Sequence, residues 1–167
     1  MPNTEQPPRD APSPTSPQGR PSPLSPLSPH EEALLRELGR VMTVLPRVFD
    51  ADMMREKRMP LSEYMTLMHL SEAPDRRMRM SELAAAANLS LSGMTRIVTR
   101  LENQGLTERT RCDEDARGLN AVLTDAGLAR LEEAWPAHLA SARRHVFDHL
   151  EGTDLTQLIH ALRRIAT

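Results

Sequence analysis

The segment Ser81-Glu82-Leu83-Ala84-Ala85-Ala86-Ala87-Asn88-Leu89-Ser90-Leu91-Ser92-Gly93-Met94-Thr95-Arg96-Ile97 limits what this chain can fold into more than any other stretch. Two helices that cross steeply through a short turn need a small residue where their backbones meet, a turn residue that tolerates positive φ, and apolar residues on the facing surfaces. Ala84 is the small residue, Asn88 takes the turn position, and Leu83, Ala87, Leu89, Met94 and Ile97 supply a shared core. Asparagine enters the left-handed region more readily than most non-glycine residues, so it suits the turn. The second helix then divides into two faces. Met94, Ile97, Val98 and Leu101 lie on one, while Ser92, Thr95, Arg96 and Thr99 recur at i, i+3, i+4 and i+7 on the other. A short polar face with one arginine able to fork onto guanine O6 and N7 suits a major groove about 12 Å wide. An ordinary solvated helix face would accept the same serines and threonines, so a second signal has to decide.

Charge supplies it. The whole chain has net charge -2 and a pI of about 6.3, which fails the usual footprint of a nucleic-acid binder, a pI above about 9. Residues 76–111 nevertheless hold seven arginines (76, 77, 79, 96, 100, 109 and 111) against three acids (82, 102 and 108). Phosphate contacts are local, and exposed charges beyond a Debye length of about 8 Å are largely screened, so acidic residues elsewhere do not cancel that patch. Aromatic residues make up only 2% of the chain, too few for the base-stacking platforms that bind single strands or RNA. Double-stranded DNA is the nucleic acid that remains.

The flanks have a different composition. Ten of the 14 prolines fall in the first 29 residues, interleaved with serine; such a tract blocks helix and ladder hydrogen bonding, so residues 1–28 read as a disordered or polyproline tail. Ser28-Pro29-His30-Glu31 is a capping-box start with proline at the first helical position. Leu34, Leu38, Val41, Leu45 and Val48 then recur at spacings of four and three, and Pro46 is expected to kink the helix. Ser62 and Ser81 read as caps of the next two helices, and a fourth runs from about Leu91 to Gln104, where Gly105 ends it. Residues 106–111 and 119–123 predict a hairpin. Thr124 caps a long helix reaching Leu150, with a second kink site at Pro136, and Asp154-Leu155-Thr156-Gln157 opens a last one.

From Leu61 to Gly127 the chain resembles the MarR family of winged helix-turn-helix transcriptional regulators. The motifs that carry the resemblance are Leu61-Ser62-Glu63-Tyr64, Met80-Ser81-Glu82-Leu83-Ala84, Ser92-Gly93-Met94-Thr95-Arg96-Ile97-Val98, Leu101-Glu102-Asn103-Gln104-Gly105-Leu106, Asp115-Ala116-Arg117-Gly118 and Leu123-Thr124-Asp125-Ala126-Gly127, in the family's order and spacing. The resemblance implies a mainly α fold with a small β-hairpin wing, organised as a dimerisation helix (29–59), a winged helix-turn-helix (61–123) and C-terminal dimerisation helices (124–167). It implies a bacterial, cytoplasmic homodimer on a palindromic operator, most often a repressor released by a small-molecule effector. DNA contacts are expected from Ser90, Ser92, Gly93, Thr95, Arg96, Thr99, Arg100, Asp115 and Arg117, with Arg117 in the minor groove. Met42, Leu45, Phe49, Met65, Met68 and His69 are expected to line the effector pocket.

Other chemistry finds little material. His145 and His149 have the i, i+4 spacing of a zinc pair, but no nearby carboxylate or cysteine completes a ligand set. No metal and no cofactor are expected. Without a GxSxG elbow or a glycine-rich phosphate loop, no catalytic residue is assigned and an enzyme is not expected. No apolar run reaches the 18 or more residues of a membrane span, so no membrane partner is expected. Cys112 is the lone cysteine. It leaves a thiol-based redox sensor as one alternative, beside a protein-interaction winged helix without DNA binding.

Overall fold

A computed structural model of the chain describes residues 26–111 and 118–165. The chain divides into two compact units, residues 1–36 and 37–167, and the boundary falls inside the first helix. In the N-terminal unit the capping box forms as its residues require. Ser28 N–H donates to Glu31 Oε2 at 2.7 Å, and Glu31 N–H donates to Ser28 Oγ at 3.3 Å. These bonds to the charged form hold the Glu31 carboxyl below its ordinary range.

Among the described residues the α-helices and strands come in the order α1 (Pro29–Lys57), α2 (Leu61–Glu72), β1 (Arg77–Arg79), α3 (Met80–Ala86), α4 (Leu91–Asn103), β2 (Thr107–Arg111), β3 (Leu119–Leu123), α5 (Asp125–His145) and α6 (Leu155–Ile165). Neither Pro46 nor Pro136 ends its helix; both lie inside continuous ones. The long helix is shorter than its periodicity suggested: α5 stops at His145, and Phe147–His149 form a 3-10 turn. Helices α2 and α3 also start earlier than their serines imply. Leu61 opens α2 with its N–H on Asp50 Oδ1 of α1 at 2.8 Å, and Met80 opens α3 directly from a strand.

That strand was not expected. Arg77-Met78-Arg79 is too short to carry a period-two signal, and it is a strand only because β3 pairs with it. The sheet order is β1-β3-β2, all antiparallel, with Met78 and Arg109 on either side of Ala121. The wing is therefore a three-stranded sheet whose third member lies just before the helix-turn-helix. Two consecutive left-handed residues, Asp75 (φ 53°) and Arg76 (φ 51°), turn the chain from α2 into β1.

The core gathers Met53, Tyr64, Leu67, Leu70, Leu83, Met94, Val98, Leu101 and Ala121 with Ala134. Asn88 has φ 52° and Ala84 is buried, as the helix-turn-helix reading requires. Leu89, however, is 40% exposed: its N–H closes the turn onto Ala84 O at 2.8 Å, and its side chain lies outside the shared core. At the end of α4, Gly105 (φ 73°) allows Leu106 N–H to reach back to Leu101 O at 2.9 Å, a Schellman closure.

The start of α5 packs on that closure. Thr124 Oγ1 accepts from Gly127 N–H at 2.9 Å and donates to Gly105 O at 2.8 Å. A Cβ on Gly127 would stand 2.0 Å from Leu106 O and 2.7 Å from Leu123 Cδ1. A backbone carbonyl in a closed turn cannot retreat by that much. Gly127→Ala is expected to lower unfolding stability by roughly 1–3 kcal/mol, the range for overpacking; an unchanged urea midpoint would mean that α5 does not sit this close to the turn.

Candidate nucleic-acid interface

Helix α4 buries Met94, Ile97, Val98 and Leu101, and that face fixes its rotation. Ser92, Thr95 and Arg96 are exposed on the other side, while Thr99 and Gly93 are half-buried. Ser90 is the N-cap: its Oγ accepts Gly93 N–H at 3.1 Å and lies 3.1 Å from Ser92 Oγ. Thr95 and Thr99 donate their hydroxyl protons to Leu91 O (2.8 Å) and Thr95 O (2.7 Å), which leaves each oxygen able to accept. Arg96 makes no hydrogen bond or ion pair among the described residues.

Arg100, expected among the DNA contacts, is half-exposed on α4 and also paired within the chain. Its Nε binds Glu63 Oε1 at 2.8 Å, and that carboxylate is nearly buried in α2. The group ties the recognition helix to α2. Two further arginines of the basic patch are paired as well, Arg76 with Asp125 at 2.9 Å and Arg109 with Glu102 at 3.4 Å. The local charge read from residues 76–111 thus overstates the unpaired charge, because Glu63 and Asp125 lie outside that window in sequence but beside it in space. Cys112, Asp115 and Arg117 lie outside the described residues.

Arg109 is a residue that sequence reasoning missed. From β2 it donates to Thr95 O at 3.2 Å and to Thr99 Oγ1, so the wing sheet holds the polar face of α4 directly. Its signal was weak, one arginine in an alternating strand. A stronger signal marked Asp52, which continues the apolar series Leu34, Leu38, Val41, Leu45, Val48 at the same spacing. An acid in an apolar stripe needs partners. Asp52 is 5% exposed and receives Ser141 Oγ at 2.9 Å, Arg144 Nη1 at 2.9 Å and Arg55 Nη2 at 2.6 Å, with His145 Nε2 at 3.0 Å. Burial pushes its pKa up, but the bonds from Ser141, Arg55 and His145 outweigh burial and bring it from 3.8 to about 2. Nearby, Arg130 Nη2 donates to Lys57 O at the end of α1 (2.5 Å).

A cavity of about 620 Å³ opens between α1, α2, α5 and the helix-turn-helix turn. Met42, Leu45, Phe49, Met65 and Met68 line it; His69 does not, and the polar lining comes from His138 and Asn88. His138 was legible in the same way as Asp52, because it follows Leu131 and Trp135 at spacings of seven and three on the apolar side of α5. No described helix is long and apolar enough to cross a membrane.

A helix-turn-helix with an exposed polar recognition face, backed by a three-stranded wing and framed by long helices, defines the winged-helix class of transcriptional regulators. Comparison with known proteins narrows the class. The family model described as MarR family matches residues 59–118. The crystal structure of AbsC, a MarR family transcriptional regulator from Streptomyces coelicolor, superposes with TM-score 0.75 at 38% identity, over 86% of this chain and 96% of that one. Sco3205, a MarR family regulator of the same organism solved in complex with DNA, superposes with TM-score 0.76 at 34% identity, over 86% of this chain and 90% of that one. Among curated proteins, the HTH-type transcriptional repressor YetL of Bacillus subtilis is 33% identical over 78 residues, a match spanning 47% of each protein. This chain belongs to the MarR family of transcriptional regulators; it is a regulator and not an enzyme.

Proposed function

We propose that the chain is a homodimeric repressor that reads a palindromic operator in double-stranded DNA through α4 and releases it when a small molecule enters the cavity beside Asn88. The observation that carries the reading is the division of α4, whose apolar face is locked in the core while Ser92, Thr95 and Arg96 face outward beside a basic sheet. DNA binding by Sco3205 and the repressor role of YetL support it. In this reading Arg96 contacts base edges, Ser92, Gly93 and Thr95 pack on the groove, and Asp115 and Arg117 act at the wing tip. Ser90 acts through the cap, and Arg100 acts through Glu63.

Dimerisation is supported by apolar surface that one chain leaves uncovered. Val41 and Met42 of α1, Trp135 and Leu139 of α5, and Leu155, Ile159, Leu162 and Ile165 of α6 are each at least 40% exposed. A two-fold dimer would place two recognition helices one helical turn apart, about 34 Å, and so match a palindrome. In this reading 29–59 and 124–167 carry the dimer and 61–123 carries the DNA contacts.

The test is binding to the duplex upstream of the chain's own coding region, followed by fluorescence anisotropy. Arg96→Ala is expected to lose about 1–3 kcal/mol on that operator and much less on random duplex, flattening the specificity ratio. Arg100→Ala should instead lower unfolding stability, because it leaves Glu63 buried without a partner. Equal losses on operator and random duplex for Arg96→Ala would remove it from base reading. Failure of wild type to bind any duplex would overturn the DNA reading.

A further inference from the structure

Aromatic residues are scarce in this chain, yet three of the four Phe, Trp and Tyr side chains surround one histidine. Tyr64 stacks on His138 with ring centroids 4.4 Å apart and planes 25° apart; Phe49 lies at 5.4 Å and Trp135 at 6.1 Å. His138 and Phe49 both line the cavity, Asn88 adds one amide, and the rest of its described lining is aliphatic and methionine-rich, with no charged side chain among the described residues. Methionine adapts to flat rings and makes favourable sulfur–aromatic contacts. Inside this aromatic group, Tyr64 Oη and His138 Nδ1 are buried with no hydrogen-bond partner among the described residues.

We propose that the cavity takes an uncharged planar aromatic ligand carrying one hydroxyl, anchored by His138, and discriminates against aromatic carboxylates of the same shape. The proposal rests on the effector part of the function proposed above and adds the ligand's chemistry. A carboxylate brought into this wall would lose its hydration and meet no lysine or arginine in return. A hydroxyl needs only one partner. Burial holds the His138 pKa below the ordinary histidine value, so the ring is neutral near pH 7 and offers both a donor and an acceptor. No partner on Nδ1 among the described residues fixes its tautomer, so the ring edge in the cavity can donate to or accept from the ligand. Asn88 joins the same wall from the turn between α3 and α4, at φ 52°, so an occupant touches the element that sets the angle of the recognition helix.

Calorimetric titration of the full-length protein at pH 7.5 with 2-naphthol and with 2-naphthoate tests the charge preference at nearly constant shape. Wild type should bind 2-naphthol at least tenfold tighter. His138→Phe, which keeps the stacked ring and removes its hydrogen bond, should weaken 2-naphthol at least tenfold with the unfolding midpoint retained. Met68→Lys places a cation on the half-buried α2 wall of the cavity, away from the surface assigned to the dimer, and should strengthen 2-naphthoate at least tenfold; this variant tests the proposal even if His138→Phe does not fold. Equal or tighter 2-naphthoate binding by wild type, undiminished 2-naphthol binding by folded His138→Phe, no gain in Met68→Lys, or no binding of either probe would each overturn the proposal. If 2-naphthol binds with these preferences but operator affinity is unchanged by it, the ligand assignment stands and the effector part of the proposed function falls.

Discussion

Deleting residues 153–167 is expected to turn the proposed dimer into a monomer at micromolar concentration without unfolding the rest of the chain. No residue of α6 is buried, so removing the helix takes nothing from the core around Leu67, Leu83 and Met94. It does remove Leu155, Ile159, Leu162 and Ile165, which are 43–69% exposed. Completing the burial of a half-exposed leucine or isoleucine is worth roughly 1 kcal/mol, and a two-fold axis counts each contact twice. At about 1.4 kcal/mol per tenfold, the loss weakens association by three orders of magnitude or more. Sedimentation velocity reads the mass, and the urea midpoint of the monomer reads the fold. A truncated chain that still sediments as a dimer would place the interface on other elements.

Asp52→Ala should be the most damaging single truncation of a polar side chain. Ser141 is 1% exposed and would be left with its hydroxyl unpaired, while Arg55 and Arg144, 60% and 51% exposed, can turn partly to water. The expected loss is about 2–4 kcal/mol, toward the lower side of what breaking a buried pair costs. Asp52→Asn keeps the shape and separates charge from packing. A carboxylate whose folded pKa is held at about 2 against an ordinary 3.8 contributes stability that is fully present above about pH 4. That contribution is withdrawn as pH falls toward 2. Wild type should therefore exceed Asp52→Asn at neutral pH and converge on it in acid. A stability difference that stays constant from pH 7 to pH 2.5 would show that the charge contributes nothing and that only shape matters at this position.

What the sequence made legible was local. Ser28 with Glu31, Thr124 with Gly127, Asn88 and Gly105 each act within a few residues of themselves, and each was readable from type and spacing alone. The two faces of α4 were equally plain, because one helical period sets them. What escaped was set by distant partners. β1 exists through β3, more than 40 residues away, and Arg100 meets Glu63 across 37 residues. Beyond its local bond from Arg55, Asp52 draws three partners from 89 to 93 residues downstream. Apolar periodicity showed that α1 and α5 needed cover without showing what covers them. A polar residue inside an apolar stripe, as at Asp52 and His138, was the one sequence sign of a non-local site, and it marked both.

Arg109 carries a mechanical consequence. By holding Thr95 and Thr99 from β2, it ties the wing sheet to the recognition helix and opposes sliding or rotation between them. The two elements behave as one jaw of fixed profile, and the DNA surface they present has a single internal setting. In the proposed regulation the signal then works without reshaping that surface: it changes how far apart and at what angle the two unchanged jaws of the proposed dimer are carried, through the joints where α5 meets α1 and where the helix-turn-helix turn meets the cavity.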